Sequence, residues 1–200
     1  MSDTYRTVAK RASVAFEVRG SEFLGQIAPA ESVESAESFV TEIEREYADA
    51  THNVPAYRVR ADPLREYSND DGEPSGSAGK PILNVLQGEK LENVACVVTR
   101  YYGGTDLGYG GLVRAYSRAA SEAIEAAGVV KERPHARLSI TAAYDDSGTV
   151  RGILESTDCE FDAEYGERAS FAVRVPTEER ETLCERLNSA TSGRVDIEEP

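Results

Sequence analysis

Residues 93–128 read NVACVVTRYYGGTDLGYGGLVRAYSRAASEAIEAAG. Asn93 to Arg100 is a short apolar run rich in valine, and it predicts a buried, central strand. Leu112 to Ala127 places Leu112, Val113, Tyr116, Ala120 and Ile124 at helical spacing, with Gly128 as the stop. Between them Gly103, Gly104, Gly108, Gly110 and Gly111 punctuate a turn that no packing requirement explains. Glycine carries an entropic cost in ordered chain and is used where backbone must take positive φ or approach something closely. A second polar, glycine-punctuated segment, SNDDGEPSGSAGKP, spans residues 68–81. Two such segments flanking a buried strand read as a site.

Outward from this core the pattern is mixed α and β. Ser13–Val18 and Phe23–Ala28 alternate and flank Gly20-Ser21, which predicts a hairpin. Ser32–Tyr47 carries Phe39, Val40, Ile43 and Tyr47 on one stripe and predicts a helix capped by Ser32 or Ser35. Asn53–Arg60 reads as a strand, Ala61–Ala78 as a long polar loop, and Gly79–Leu86 as a helix with Pro81 in its first turn. Lys131 to Pro134 reads as a linker. Beyond it the expected order is strand 137–144, helix 147–156, strands 159–165 and 169–175 around Gly166, helix 177–190 and strand 193–197. That β-α-β-β-α-β order is the split motif of ferredoxin-like folds. The expected organisation is therefore an α+β chain of two domains, residues 1–132 and 133–200.

The chain has 36 acidic against 22 basic residues and a net charge of −14. This argues against broad electrostatic association with nucleic acid and fits the acidic surface of a salt-adapted cytoplasmic protein. Against that background Arg100, Arg114 and Arg118 form a local basic cluster. Cys96, Cys159 and Cys184 make no Cys-x-x-Cys pair, so neither a zinc site nor a disulfide framework is indicated. No signal-peptide pattern or long apolar run is present, and a soluble intracellular protein is expected.

The site chemistry leaves alternatives open. A helix N-terminus following Gly110-Gly111 suits an anion, and Arg100, Arg114, Ser117, Lys80, Ser75, Ser77, Gly79 and backbone amides could surround a phosphate. Asp70, Asp71 and Glu73 could instead hold a divalent cation such as Mg²⁺ against phosphate oxygens. Neither a Walker loop nor a dinucleotide fingerprint is present: Pro74 and Pro81 occupy the outer Walker positions, and Val113 stands where a third glycine belongs. No Ser-His-Asp or Cys-His set is identifiable. Three functions remain: an RNA- or ribosome-linked binding protein with Tyr101 and Tyr102 as stacking faces, a metal-assisted enzyme acting on a phosphorylated molecule or phosphodiester, and a protein-interaction module.

SNDDGEPSGSAGKPIL (residues 68–83) and VVTRYYGGTDLGYGGLVRAYS (97–117) resemble the two signatures of the YigZ/IMPACT family, and ATHNVPAY (50–57) resembles a third landmark. The resemblance implies an N-terminal α/β sandwich like the second domain of a small-subunit ribosomal protein. It also implies a C-terminal ferredoxin-like domain similar to the last domain of elongation factor G. It marks His52 and Tyr57 at the edge of a cleft. Within the two signatures it marks Asp70, Asp71, Gly72, Glu73, Pro74, Ser75, Gly76, Gly79 and Pro81, then Arg100, Tyr102, Gly103, Gly104, Gly108, Gly110, Gly111, Leu112, Arg114 and Ser117. Both fold comparisons point towards ribosomes and RNA, so the resemblance implies a translation-associated role with RNA or a ribosome-associated protein as partner. Eukaryotic members regulate translation through an additional N-terminal domain, so their own partner is not carried over. Ser77, Asp106, Tyr109 and Val54-Pro55 depart from the usual pattern, and Asp106 sets a negative charge beside the expected anion site.

Overall fold

The computed structural model describes residues 4–61 and 63–199, so Asp62 of the expected 61–78 loop lies outside the described residues. The chain divides into two compact units, one spanning Tyr5–Glu132 and the other running from Arg133 together with Thr4.

The first unit contains β1 (Tyr5–Val8), β2 (Ala12–Val18), β3 (Ser21–Pro29), α1 (Val33–Glu46), β4 (His52–Val59), β5 (Arg65–Ser68), α2 (Gly79–Gly88), β6 (Val94–Tyr101), α3 (Gly108–Ala127) and β7 (Val129–Glu132). Its main sheet has the order β2-β3-β6-β4-β5 and is antiparallel throughout. Strand β6 is central, and every residue from Val94 to Arg100 is buried. Alternation along a strand sends successive side chains to opposite faces. Val94, Cys96 and Val98 therefore meet Leu112, Ala115, Tyr116 and Ala119 of α3 and Ile82 and Leu86 of α2. Ala95 and Val97 meet Ala36, Phe39 and Ile43 of α1. The central strand is covered on both sides, which explains why it reads as a continuous apolar run rather than an alternating one.

Ser32 caps α1 as expected, in a reciprocal pair with Ser35. The β2–β3 hairpin closes through Arg19 and Gly20, one residue earlier than the expected Gly20-Ser21 because Ser21 already pairs with Val18; both turn residues hold positive φ (50° and 82°), which matches the right-handed twist of the strands. Gly25 lets α3 lie directly on the sheet, because a Cβ there would be 2.6 Å from the Ala119 carbonyl oxygen.

Three larger features differ from the sequence expectation. Strands β1 and β7 pair antiparallel, Tyr5 opposite Glu132 through Val8 opposite Val129, so Lys131 and Glu132 belong to a strand rather than a linker. Strand β5 forms inside the expected polar loop by pairing with β4 and stacking Tyr67 on Tyr57, ring centroids 5.0 Å apart. Helix α3 begins at Gly108, not Leu112, so the second glycine segment supplies the first helical turn.

The second unit contains β8 (His135–Ala143), α4 (Tyr144–Glu155), β9 (Glu160–Tyr165), β10 (Arg168–Pro176), a short 3-10 turn at Thr177–Glu179, α5 (Arg180–Ala190) and β11 (Asp196–Glu198). The strand order is β11-β8-β10-β9, with each neighbouring pair antiparallel. Leu138, Ile140, Phe171 and Val173 point to one face and pack with Val150 and Leu154 of α4 and Leu183 and Leu187 of α5. Both helices thus lie on that face. Burying side chains of this size contributes about 1.5–3 kcal/mol each.

No helix among the described residues is long and apolar enough to cross a membrane. Full burial pushes the Cys96 thiol up to about 12. Because the thiolate is the nucleophile, Cys96 is expected to resist a disulfide-exchange reagent in the folded protein and to react on unfolding. Mass mapping of labelled cysteines with and without denaturant checks this.

Candidate functional site

The two glycine-rich segments meet at the end of β6. Arg100 follows Val98 on the α3 side of the sheet, so its guanidinium enters the interior instead of solvent. It is 5% exposed. Its Nη1 donates to Glu73 Oε1 at 2.6 Å and its Nη2 to Ser21 Oγ at 3.2 Å. Its charge lies over the rings of Phe23 and Tyr102, at 5.5 and 5.4 Å from their centroids. Tyr116 donates its hydroxyl to the same Glu73 oxygen at 2.7 Å. Burial, and then the bond to Glu73, push the Tyr116 hydroxyl far above the ordinary phenol range, so it remains a donor.

His52 stands opposite Arg100 across β4 and β6. Its Nδ1 lies 2.6 Å from the Asp71 carbonyl, which fixes a proton on that nitrogen because a carbonyl can only accept. The other nitrogen lies 3.9 Å from Glu73 Oε1. Ser21 Oγ also accepts the Gly103 amide at 3.1 Å. Gly103 is required there: a Cβ would fall 2.0 Å from the Gly20 carbonyl carbon and oxygen.

The first segment is wound around Asp70. Its carboxylate accepts the amides of Gly76 at 2.7 Å, Ala78 at 3.2 Å and Gly79 at 2.9 Å. The amides assigned above to a bound phosphate are thus turned onto an internal anion, which also sits at the start of α2. Asp71 Oδ2 takes the Asn53 amide at 2.6 Å, while Asp71 and Gly72 hold positive φ of 46° and 84°. Asp70, Asp71 and Glu73 therefore have three separate sets of partners. Among the described residues no three His, Cys, Asp or Glu side chains converge as a metal-holding group. Ser77 Oγ is buried with no partner, and Ser75 and Lys80 are exposed.

The second segment leaves an open helix start. No side chain caps α3, and its first turn carries no acidic residue. Space is open where Cβ atoms of Gly104 and Gly108 would project. Arg114 folds back so that its Nη1 lies 3.4 Å from the Cβ position of Gly110. Among the described residues this exposed guanidinium has no ion-pair partner. Ser117, half-buried one turn along, accepts at its carbonyl from Ser121. Arg118, four residues beyond Arg114, instead pairs with Glu122 at 2.7 Å and lies 4.0 Å over the Phe16 ring. Tyr102 and Tyr109 are exposed on either side of the helix start. Tyr109 ties the two segments together by donating to the Gly76 carbonyl at 3.2 Å. The Asp106 carboxylate accepts the Tyr102 hydroxyl at 3.1 Å.

Two further expected placements change. Arg100 does not line an open anion site, because strand parity directs it into a buried pair with Glu73. Tyr57 is not beside His52: odd-numbered positions of β4 face α1, and Tyr57 meets Glu37 and Tyr67 there. The residues missed from sequence are Ser21, Tyr116 and Tyr109. Tyr116 fits the inward helical stripe, so only its hydroxyl contact separates it from ordinary core.

The arrangement defines a protein of two α+β units whose first unit locks one ion pair inside and presents one uncapped helix start outside. Residues 19–124 match the Impact N-terminal domain, and residues 140–194 match a domain of unknown function, DUF1949. Over 200 residues the chain is 34% identical to the IMPACT family member YvyE of Bacillus subtilis (strain 168), covering 100% of this chain and 92% of YvyE. It is 29% identical over 188 residues to YigZ of Escherichia coli (strain K12), covering 92% of each. A crystal structure of a hypothetical protein is similar with a TM-score of 0.73 at 28% identity, covering 100% of this chain and 98% of that one. The chain belongs to the IMPACT family.

Proposed function

We propose that this protein is a non-enzymatic, translation-associated regulator that binds RNA, or an RNA-bearing partner such as the ribosome, at the start of α3. The observation that supports it most is the uncapped first turn of α3, with the unpaired Arg114 folded over it and Tyr102 and Tyr109 exposed beside it. Amides and a guanidinium suit a phosphate, and flanking rings suit unstacked bases. The buried groups suit structure better than turnover, since Glu73 accepts hydrogen bonds from both Arg100 and Tyr116 inside the unit. Within this reading the chain has two domains, residues 1–132 and 133–200. The first resembles a small-subunit ribosomal protein domain, and the second has a ferredoxin-like topology similar to the last domain of elongation factor G. A cytoplasmic, salt-adapted setting accords with the acidic composition.

Arg114→Ala is expected to weaken binding of single-stranded RNA uniformly across sequences and to lower the salt slope by about 1. Fluorescence anisotropy of labelled oligonucleotides over a salt series measures both. Unchanged affinity and slope would remove this surface from the function.

A further inference from the structure

The four-stranded sheet of the second unit has a second face, opposite α4 and α5, and its pattern is regular. The register sets Glu164, Ser170, Thr141 and Asp196 in one row across all four strands. The next row on that face is Asp162, Ala172, Ser139 and Glu198. Each row reads acidic, small, small, acidic. Thr141 is half-buried and the other positions are exposed. Cations of this face lie beyond the two rows: Arg168 at one end, and Arg137 and Arg174 at the other. Arg168 reaches Asp196 at 2.7 Å. Among the described residues Asp162, Glu164 and Glu198 have no ion-pair partner.

The dimensions select an occupant. Four strands spaced about 4.8 Å apart put the two acidic walls about 14 Å from one another. An α-helix with its side chains is about 10–12 Å across. A floor of Ser, Thr and Ala lets a helix backbone approach closely, and the walls then face its two flanks. Nucleic acid is disfavoured there, because both walls repel phosphate. We infer that this face docks an α-helix of a partner protein, one with a small-residue stripe flanked on both sides by Lys or Arg. The inference is independent of the α3 site.

The probe is a synthetic alanine-based helical peptide with lysines on both flanks of an alanine stripe, titrated into the full-length chain by calorimetry at low salt. Binding is expected for this peptide, and binding about tenfold weaker for a scramble of equal charge. Reversing the walls with D162K, E164K and E198K is expected to weaken binding by about tenfold or more, whereas D145K, E181K and E185K, on the helices of the opposite face, change it less than about twofold. Ser170→Trp fills the floor and is expected to weaken binding without lowering the thermal midpoint. Equal loss from both triple variants, equal binding of the scramble, or no binding by the unaltered chain would overturn the inference. So would single-stranded RNA or a second copy of the chain binding this face in place of the peptide.

Discussion

Glu73→Ala is expected to lower the stability of the first unit by about 3–5 kcal/mol, because it strands a buried guanidinium. The side chains of Arg100 and Glu73 are 6% and 3% exposed, so solvent screening does little for them. Removing the carboxylate leaves Arg100 with Ser21 as its remaining hydrogen-bond partner and leaves the Tyr116 hydroxyl without an acceptor. Glu73→Gln keeps an acceptor for both donors and should fall between the extremes. The double variant Glu73→Leu, Arg100→Met should recover much of the loss, since a buried pair replaced by apolar residues of similar volume is often neutral or better. Urea unfolding by circular dichroism, with hydrogen exchange of β6 amides, separates the cases. A single-variant loss below about 1 kcal/mol would mean that the pair is solvated in solution.

Asp70→Ala is expected to undo the first glycine segment. It leaves the Gly76, Ala78 and Gly79 amides without their acceptor, and each buried orphan costs about 1–3 kcal/mol. The segment is partly exposed, so water takes up part of that, and a total of about 2–4 kcal/mol is expected. The change should be local first: faster proteolysis between residues 69 and 79 and faster exchange in the first turn of α2. Asp70→Asn keeps an acceptor but loses the charge, and should recover much of the order. Proteolysis as slow in Asp70→Ala as in the unaltered chain would mean that backbone geometry alone holds the loop.

Much of the fold was legible in local pattern. The apolar run 94–100, the α1 stripe and the alternation in the second unit each arise from burial on one or both faces. That the two glycine segments belong together was legible from glycine chemistry. What each group does there was not. Arg100 and Glu73 are 27 positions apart, and only the fold brings them to 2.6 Å. The β1–β7 pair was equally invisible, because its two strands are four residues each and lie at opposite ends of the unit. An isolated strand that short carries almost no signal.

By itself, the sequence determined the mixed α+β class, the longer helices and strands but not the short β1, β5 and β7, and the place along the chain where backbone freedom concentrates. Those properties follow from side-chain periodicity and from glycine, which act within a few residues. The tertiary structure decided which charges are internal and which face outward. It turned Asp70 and Glu73 into structural anions, buried Arg100, sent Tyr57 to the opposite face and left Arg114 open. The reason is that a charge's role depends on its nearest partner and its distance from water, and both are set by strand parity and by contacts between segments remote in the chain.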